Sequence, residues 1–409
     1  MVTTSMMAGA AIPGPRTLPV AGWRLNMLPL LRDPINYMLR LHRTYGDVVS
    51  LDPGGDEFVF VFSPELNHQV LSDQMLFFNG DLQSNSAGMR IPPDSGAARL
   101  FSGITTMNAG KHTQQRRLLM PAFHKKRIAG LHAEMIALTE RRLAGWAAGG
   151  QVDLLREMKG LTLSVAVQTI LGLDPAREGE QLRGLMQQWL RLALSPLVFL
   201  APVNLPGTPF HRMLALSDRL ETEIRGMIER RRAAGGDRGD ALSMLIQAHD
   251  EDGTRLTDND LIGQTTALFI AGHETTASAL TWTLFLLDQH PQVLHDLLDE
   301  LDGVLHGAPP TLEQMNALPL LDRVINESLR LLPPGLWFLR VNTAPTRLGS
   351  YEVPEGRRIL WTPVVAQRNP DLYPEPARFR PARWETLDPG PYAYLPFGGG
   401  PRRCLGATF

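Results

Sequence analysis

The chain has 409 residues, 44% of them hydrophobic, and a formal net charge of −2. That length allows two or three domains at about 150 residues each, with apolar content ample for a large core. The near-neutral balance gives no basis for binding nucleic acid or for a strongly acidic partner. Met1 to Ile12 has no basic leader and no sustained apolar run. The apolar run Leu192 to Val203 is interrupted by Pro196 and Pro202, and it falls short of the roughly 20 residues a spanning helix needs. With a single cysteine, the chain reads as cytoplasmic, without a transmembrane anchor. The clusters Lys125-Lys126-Arg127 and Arg230-Arg231-Arg232 read as solvated faces.

In chain order, Ile12-Pro13-Gly14-Pro15 opens a Pro-rich lead-in to about Pro29. Asp33-Pro34 signals a helix start, Tyr37, Leu41 and Tyr45 share a helical face, and Gly46 ends it. Val48 to Leu51 and Phe58 to Phe62 read as strands around a Pro-Gly-Gly turn, followed by a helix over Pro64 to Leu71. Asn79 to Asn108 has no clear period and reads as a long loop carrying Leu82, Met89, Ile91, Phe101 and Ile104; such loops are usually functional or disordered. Gly110-Lys111-His112 opens a basic helix. His112 and Arg116, four apart, share a face, and on spacing alone this is a solvated helix end.

Ile128 to Arg232 is mostly amphipathic helix, broken at Gly149-Gly150, at Asp174-Pro175 and around Pro202 to Pro209. The longest helix runs from Thr257 to about Gln289, with Thr257 and Asp260 spaced as a capping box and Pro291 closing it. About 30 residues at 1.5 Å each give roughly 45 Å, enough to cross a domain. It is apolar nearly all round, which places it centrally. Inside it lies Ala271-Gly272-His273-Glu274-Thr275-Thr276. A glycine there costs about 1 kcal/mol against alanine, and a buried carboxylate costs more unless paired. Either the helix kinks and exposes Glu274, or the motif forms a catalytic groove. In the groove, Gly272 admits a small ligand, Thr275 hydrogen-bonds it and Glu274 relays protons.

Glu327 and Arg330 lie three apart on a further helix, ended by Pro333-Pro334-Gly335. Leu336 to Arg340 is extended and apolar, Gly349 to Gly356 is a short strand and turn, and Ile359 to Val365 is the next strand. A Pro-rich meander leads to Phe397-Gly398-Gly399-Gly400-Pro401-Arg402-Arg403-Cys404-Leu405-Gly406. Cys404 has no partner for an internal disulfide, so its role is that of nucleophile, metal ligand, redox thiol or apolar filler. The three glycines let the backbone bend tightly and approach something flat or bulky. Leu405 to Phe409 reads as the first turn of a helix, whose N-terminus, with Arg402 and Arg403, favours the thiolate. A thiolate beside a glycine-rich loop suits a soft metal, haem iron among the candidates.

The spacing of Phe397, Gly400, Arg402, Cys404 and Gly406 resembles the haem-binding loop of the cytochrome P-450 family, the haem-thiolate monooxygenases. The resemblance runs from about Pro13 to the last residue. It implies a mainly α fold with a smaller β-rich lobe (α+β), one catalytic domain, and a long central helix over the haem. Cys404 becomes the proximal iron ligand of haem b (iron protoporphyrin IX), with Phe397, Gly398 and Gly406 against the cofactor. Arg402, His112, Arg116 and Arg340 become propionate partners. Ala271 and Gly272 lie on the distal side, and Glu274 and Thr275 match the family's acid–alcohol pair. Glu327 and Arg330 join Arg383 in a buried triad.

Residues 79–108 become the pocket roof, the helices flanking Pro196 to Pro209 its lid, and Phe101, Leu336, Trp337 and Phe338 its lining. Gln367-Arg368-Asn369-Pro370 matches the family's His-Arg-x-Pro with Gln for His, a departure peripheral to the chemistry. The implied reaction inserts one oxygen atom of O2 into an apolar organic substrate, by hydroxylation or epoxidation. Electrons come from a ferredoxin- or flavodoxin-type donor, which the basic residues around Cys404 could receive. The sequence ends five residues after Cys404, where the family continues through a helix and a β-hairpin, so the chain is expected to be C-terminally incomplete. The alternatives are a peroxide-driven peroxygenase and an inactive or non-enzymatic haem- or ligand-binding fragment.

Overall fold

A computed structural model describes residues 11–17, 23–55, 57–80, 91–175, 179–195, 197–198, 202–236 and 238–409. Leu82, Met89 and Pro196, named above in the roof and lid, lie outside them. The described chain forms two compact units, Met1–Gly80 with Arg323–Cys404, and Asp81–Asp322 with Leu405–Phe409.

The first unit holds the strands. Asp33 accepts the Asn36 amide and caps helix Pro34–Tyr45, and Gly46, at φ 93°, ends it. The strands are β1 (Val48–Ser50), β2 (Phe58–Val61), β3 (Phe77–Asn79), β4 (Phe338–Asn342), β5 (Thr346–Leu348), β6 (Tyr351–Val353) and β7 (Arg358–Trp361). Five of them form one sheet in the order β1-β2-β7-β4-β3, with β2 and β7 parallel and the other neighbours antiparallel. The strands β5 and β6 form a separate antiparallel pair.

Side chains alternate between two apolar layers, as the strand period of two requires. Val48, Val59, Val61, Ile359 and Trp361 pack with Leu66 and Val70 of helix Pro64–Ser72. Val49, Phe60 and Leu360 pack with Tyr37, Met38 and Leu41. The expected strand over Ile359 to Val365 is shorter than read from sequence. It stops at Trp361 because the Thr362 hydroxyl accepts the Val364 amide (3.0 Å) and starts the helical turn Pro363–Ala366.

The second unit is helical. Helices Leu154–Leu171, Pro209–Ala234, Ala241–Gln247 and Pro291–Leu305 pack against the central helix Asp258–Asp288, and helices His132–Leu143 and Gly179–Ala193 pack on the first two in turn. Thr257 and Asp260 make the expected capping box. Every residue from Leu261 to Phe269 is buried, Gln264, Thr265 and Thr266 included, so that half is buried all round as its nearly all-round apolar sequence requires. Gly103 lets the preceding segment close on this helix: a Cβ there would sit 2.5 Å from the Gly263 carbonyl oxygen. The expected featureless loop over Asn79 to Asn108 contains helix Gly96–Leu100. Asp218 accepts the Gly96 amide at 2.8 Å, and Arg99 pairs with Glu221 at 2.8 Å. Those two contacts come from helix Pro209–Ala234, and the local signal is limited to Ser95, whose hydroxyl accepts the Ala98 amide (3.2 Å). Among the described residues no helix is long and apolar enough to cross a membrane.

Candidate functional site

In the first unit the loop before Cys404 is built on backbone geometry that only glycine adopts cheaply. Gly398 has φ 67° and Gly400 φ 64°, both left-handed. A Cβ on Gly400 would lie 2.3 Å from the Leu71 carbonyl oxygen, so the loop also depends on close approach to helix Pro64–Ser72. The Cys404 amide donates to the Phe397 carbonyl (2.9 Å) and the Arg403 amide to that of Gly400 (3.1 Å), closing the loop on itself. Cys404 is exposed, as is the Phe397 ring at 39%. The segment after the cysteine is a single 3-10 turn, Leu405–Thr408, instead of the expected α-helical turn; it contains the half-buried Gly406.

Arg340, on β4, is 7% exposed. Among the described residues its one hydrogen bond is to the Leu339 carbonyl (3.0 Å), and no carboxylate pairs with it. Burial pushes its pKa down to about 9, and the nearby cation Arg402 pushes the same way. A buried guanidinium whose charged neighbour is another arginine calls for an anion. A haem propionate meets that demand, and the glycine loop gives a flat cofactor room beside the thiol. The residues present therefore fit haem.

Glu327 is fully buried on helix Pro319–Leu331. Its carboxylate accepts from Arg330 Nε (2.8 Å) and Nη2 (2.9 Å), Arg383 Nε (2.9 Å), the Arg380 amide (2.9 Å) and Trp384 Nε1 (3.0 Å). The expected triad with Arg383 is present, extended by an indole and a backbone amide. Arg330 also donates to the carbonyls of Gln367, Pro376 and Arg378, tying the meander to the helix. Gln367, read from sequence as a departure peripheral to the chemistry, is a structural junction of this framework. Its amide nitrogen donates to Leu329 and Arg330 carbonyls, and its oxygen accepts the Leu395 amide at 2.9 Å.

In the second unit the motif Ala271 to Thr276 lies where the central helix emerges from its buried half. Thr275 and Thr276 are exposed, and Glu274 is half-buried. Thr275, Thr276, Ser278 and Thr281 each donate a hydroxyl to the carbonyl four residues back. The helix backbone thus stays satisfied through a stretch rich in hydroxyls. Gly272 leaves space: a Cβ there would meet only Ile170, at 3.5 Å. Ala271 is exposed beside it. Glu274 is not a solvated carboxylate at a kink; its Oε2 pairs with Lys159 Nζ at 2.9 Å.

His112 is 3% exposed on helix Ala109–Leu119, so the solvated helix end suggested by spacing alone is not what forms. Neighbouring Gln115 draws that face inward by accepting from Gln264 of the central helix (3.1 Å). Arg116 is half-buried one position on.

Of the expected lining residues, Leu336 and Trp337 pack on the first unit's core, and Phe338 stacks on Trp361 with ring centroids 4.6 Å apart. Phe101 lies against Trp189 in the second unit (5.2 Å). Sequence reasoning missed Lys159, the buried His273 and the role of Gln367. Lys159 and Gln367 are defined by what they meet across the fold, whereas His273 meets Phe269 and Glu274 on its own helix.

The family model for cytochrome P-450 matches residues 12–409. A cyclooctat-9-en-7-ol 5-monooxygenase from Streptomyces melanosporofaciens is 33% identical over 96% of this chain and 84% of that protein. A pentalenene oxygenase from Streptomyces avermitilis is 31% identical over 99% of this chain and 88% of that one. The solved structure of a retinoic-acid-bound cyanobacterial CYP120A1 superposes with a TM-score of 0.82 at 25% identity, covering 98% of this chain and 88% of that one. This chain therefore belongs to the cytochrome P-450 family, and it is a haem-thiolate monooxygenase that takes O2, an organic substrate and electrons from a redox partner.

Proposed function

We propose that the two units act as one catalytic domain that binds haem b through Cys404 and oxygenates an apolar, terpenoid-like substrate. Arg340, Arg402, His112 and Arg116 hold the propionates, with Phe397, Gly398 and Gly406 beside the thiolate and Ala271 and Gly272 on the distal side. Bound haem supplies the activation of O2, and a thiolate ligand favours O–O cleavage. The relatives named as oxygenating cyclooctat-9-en-7-ol and pentalenene support a compact hydrocarbon-rich substrate. A cytoplasmic ferredoxin- or flavodoxin-type protein delivers the electrons.

The observation that carries this reading is the placement of Glu274 and Thr275 side by side on the central helix, with Glu274 half-buried and ion-paired to Lys159. Glu274, 2.9 Å from Lys159, accepts and passes protons from solvent. Thr275 turns its hydroxyl from the Ala271 carbonyl toward the distal side and orients the proton. A peroxide-driven enzyme needs neither step, and this pair counts against that alternative. The test compares product formed with an electron donor, with peroxide and with neither, in wild type and Thr275→Ala. Donor-driven turnover is expected in wild type, and Thr275→Ala diverts most reductant to hydrogen peroxide. Equal coupling in the two proteins, or turnover with peroxide alone, overturns the reading.

A further inference from the structure

Glu274 has an environment of its own. Oε2 lies 2.9 Å from Lys159 Nζ, which comes from helix Leu154–Leu171, and Oε1 lies 3.6 Å from His273 Nε2. The lysine side chain is 39% exposed and the glutamate 28%. His273 is 2% exposed, its ring packs 5.6 Å from Phe269, and its Nδ1 has no hydrogen-bond partner among the described residues. The other charges nearby are already spoken for: Arg142, whose guanidinium lies against Gly160, pairs with Glu157 at 2.7 Å. Lys159 is thus the one permanent cation on Glu274 among the described residues.

We propose that Lys159 is a positioning residue for proton delivery. Its ammonium holds the Glu274 carboxylate in orientation and joins it to solvent, while His273 stands behind it as a buried wall. The proposal rests on the reading of Glu274 as the proton-delivering carboxylate. A carboxylate that must receive protons from water and release them inward needs one end of its path wet, and Lys159 places it there. Lys159 is the cation of this group, and the imidazole is not. Burial pushes its pKa down, Glu274 pulls it up, and Lys159 pushes it down again. The same three groups therefore report on one another, and removing the lysine charge is felt at His273.

The experiment uses the haem-loaded enzyme with Lys159→Met, Lys159→Arg and Glu274→Gln. It reads product formed per reductant consumed across pH, and the titration of the His273 imidazole by NMR in the diamagnetic ferrous carbon monoxide form. An unchanged carbon monoxide spectrum controls for folding. Lys159→Met is expected to lower coupling about two- to five-fold, the scale of a half-exposed ion pair. It also raises the His273 midpoint. Lys159→Arg restores both. If Glu274→Gln loses coupling while Lys159→Met keeps wild-type coupling and the wild-type His273 midpoint, the lysine is a surface pair and the proposal is overturned, with proton delivery by Glu274 intact. If Glu274→Gln itself couples normally, that underlying reading fails and the proposal falls with it.

Discussion

Replacing Glu327 by glutamine keeps the shape of the side chain and removes the charge on which four groups converge. Arg330 is fully buried and Arg383 is 6% exposed, so neither guanidinium can turn to water when its counter-ion is lost. The amide nitrogen of glutamine would also face donors where an acceptor oxygen now sits. Breaking a buried ion pair from one side costs about 3–5 kcal/mol. For 409 residues at about 2.1 cal/mol/K each, the unfolding entropy is about 0.9 kcal/mol/K. The melting temperature of Glu327→Gln should therefore fall by about 4–6 °C if the chain melts in one transition. Calorimetry on wild type, Glu327→Gln, Arg383→Gln and the double variant gives both the cost and the coupling. The two single losses should be strongly non-additive, since each removes the same Glu327–Arg383 contact. A melting temperature within 1 °C of wild type, or simple additivity, would refute the reasoning.

Three further outcomes follow from the geometry. Gly400→Ala forces a left-handed φ and a Cβ 2.3 Å from the Leu71 carbonyl oxygen; it should cost at least about 2 kcal/mol by thermal unfolding and lower haem content on purification. Arg340→Gln removes a buried charge, so it should stabilise the haem-free protein by about 1–2 kcal/mol while speeding haem loss to an acceptor protein, as a propionate partner requires. Acid should destabilise in two windows. His273 is held below its ordinary value chiefly by burial, so its contribution is present above about pH 6.5 and falls away as pH drops below that. For Glu327, burial pushes upward, but the hydrogen bonds and charge of Arg330, with Arg380 and Arg383, leave the carboxyl lowered. Its contribution is present above about pH 4.3 and lost as pH falls through the lower folded value. Denaturant unfolding from pH 7.5 to about pH 2 checks both, and His273→Asn should erase the first window alone.

The parts of the molecule that sequence revealed were those whose physics is local. The glycine loop, Cys404 and Gly406 form one contiguous run, because the chain must turn at fixed steps around one thiol. Thr257 and Asp260 cap each other three residues apart, and the apolar face of the central helix repeats along its own axis. What stayed hidden depends on pairing across the chain. Nothing near Arg358 signals a parallel partner at Phe58, and nothing near Glu274 signals Lys159. Helix Gly96–Leu100 has only five residues, too few for local propensity, and Asp218 and Glu221 hold it from another element. The end of β7 was misplaced because Val364 and Val365 favour strand by type, whereas Thr362 and Pro363 start a turn that buries both valines.

The central claim is that the thiol of Cys404 ligates haem iron. Its most direct test is the carbon monoxide difference spectrum of the reduced protein beside a Cys404→Ser control. The account predicts a strongly red-shifted Soret band in wild type that is lost in the control. A wild-type band typical of neutral ligation, or one that survives in Cys404→Ser, would contradict it.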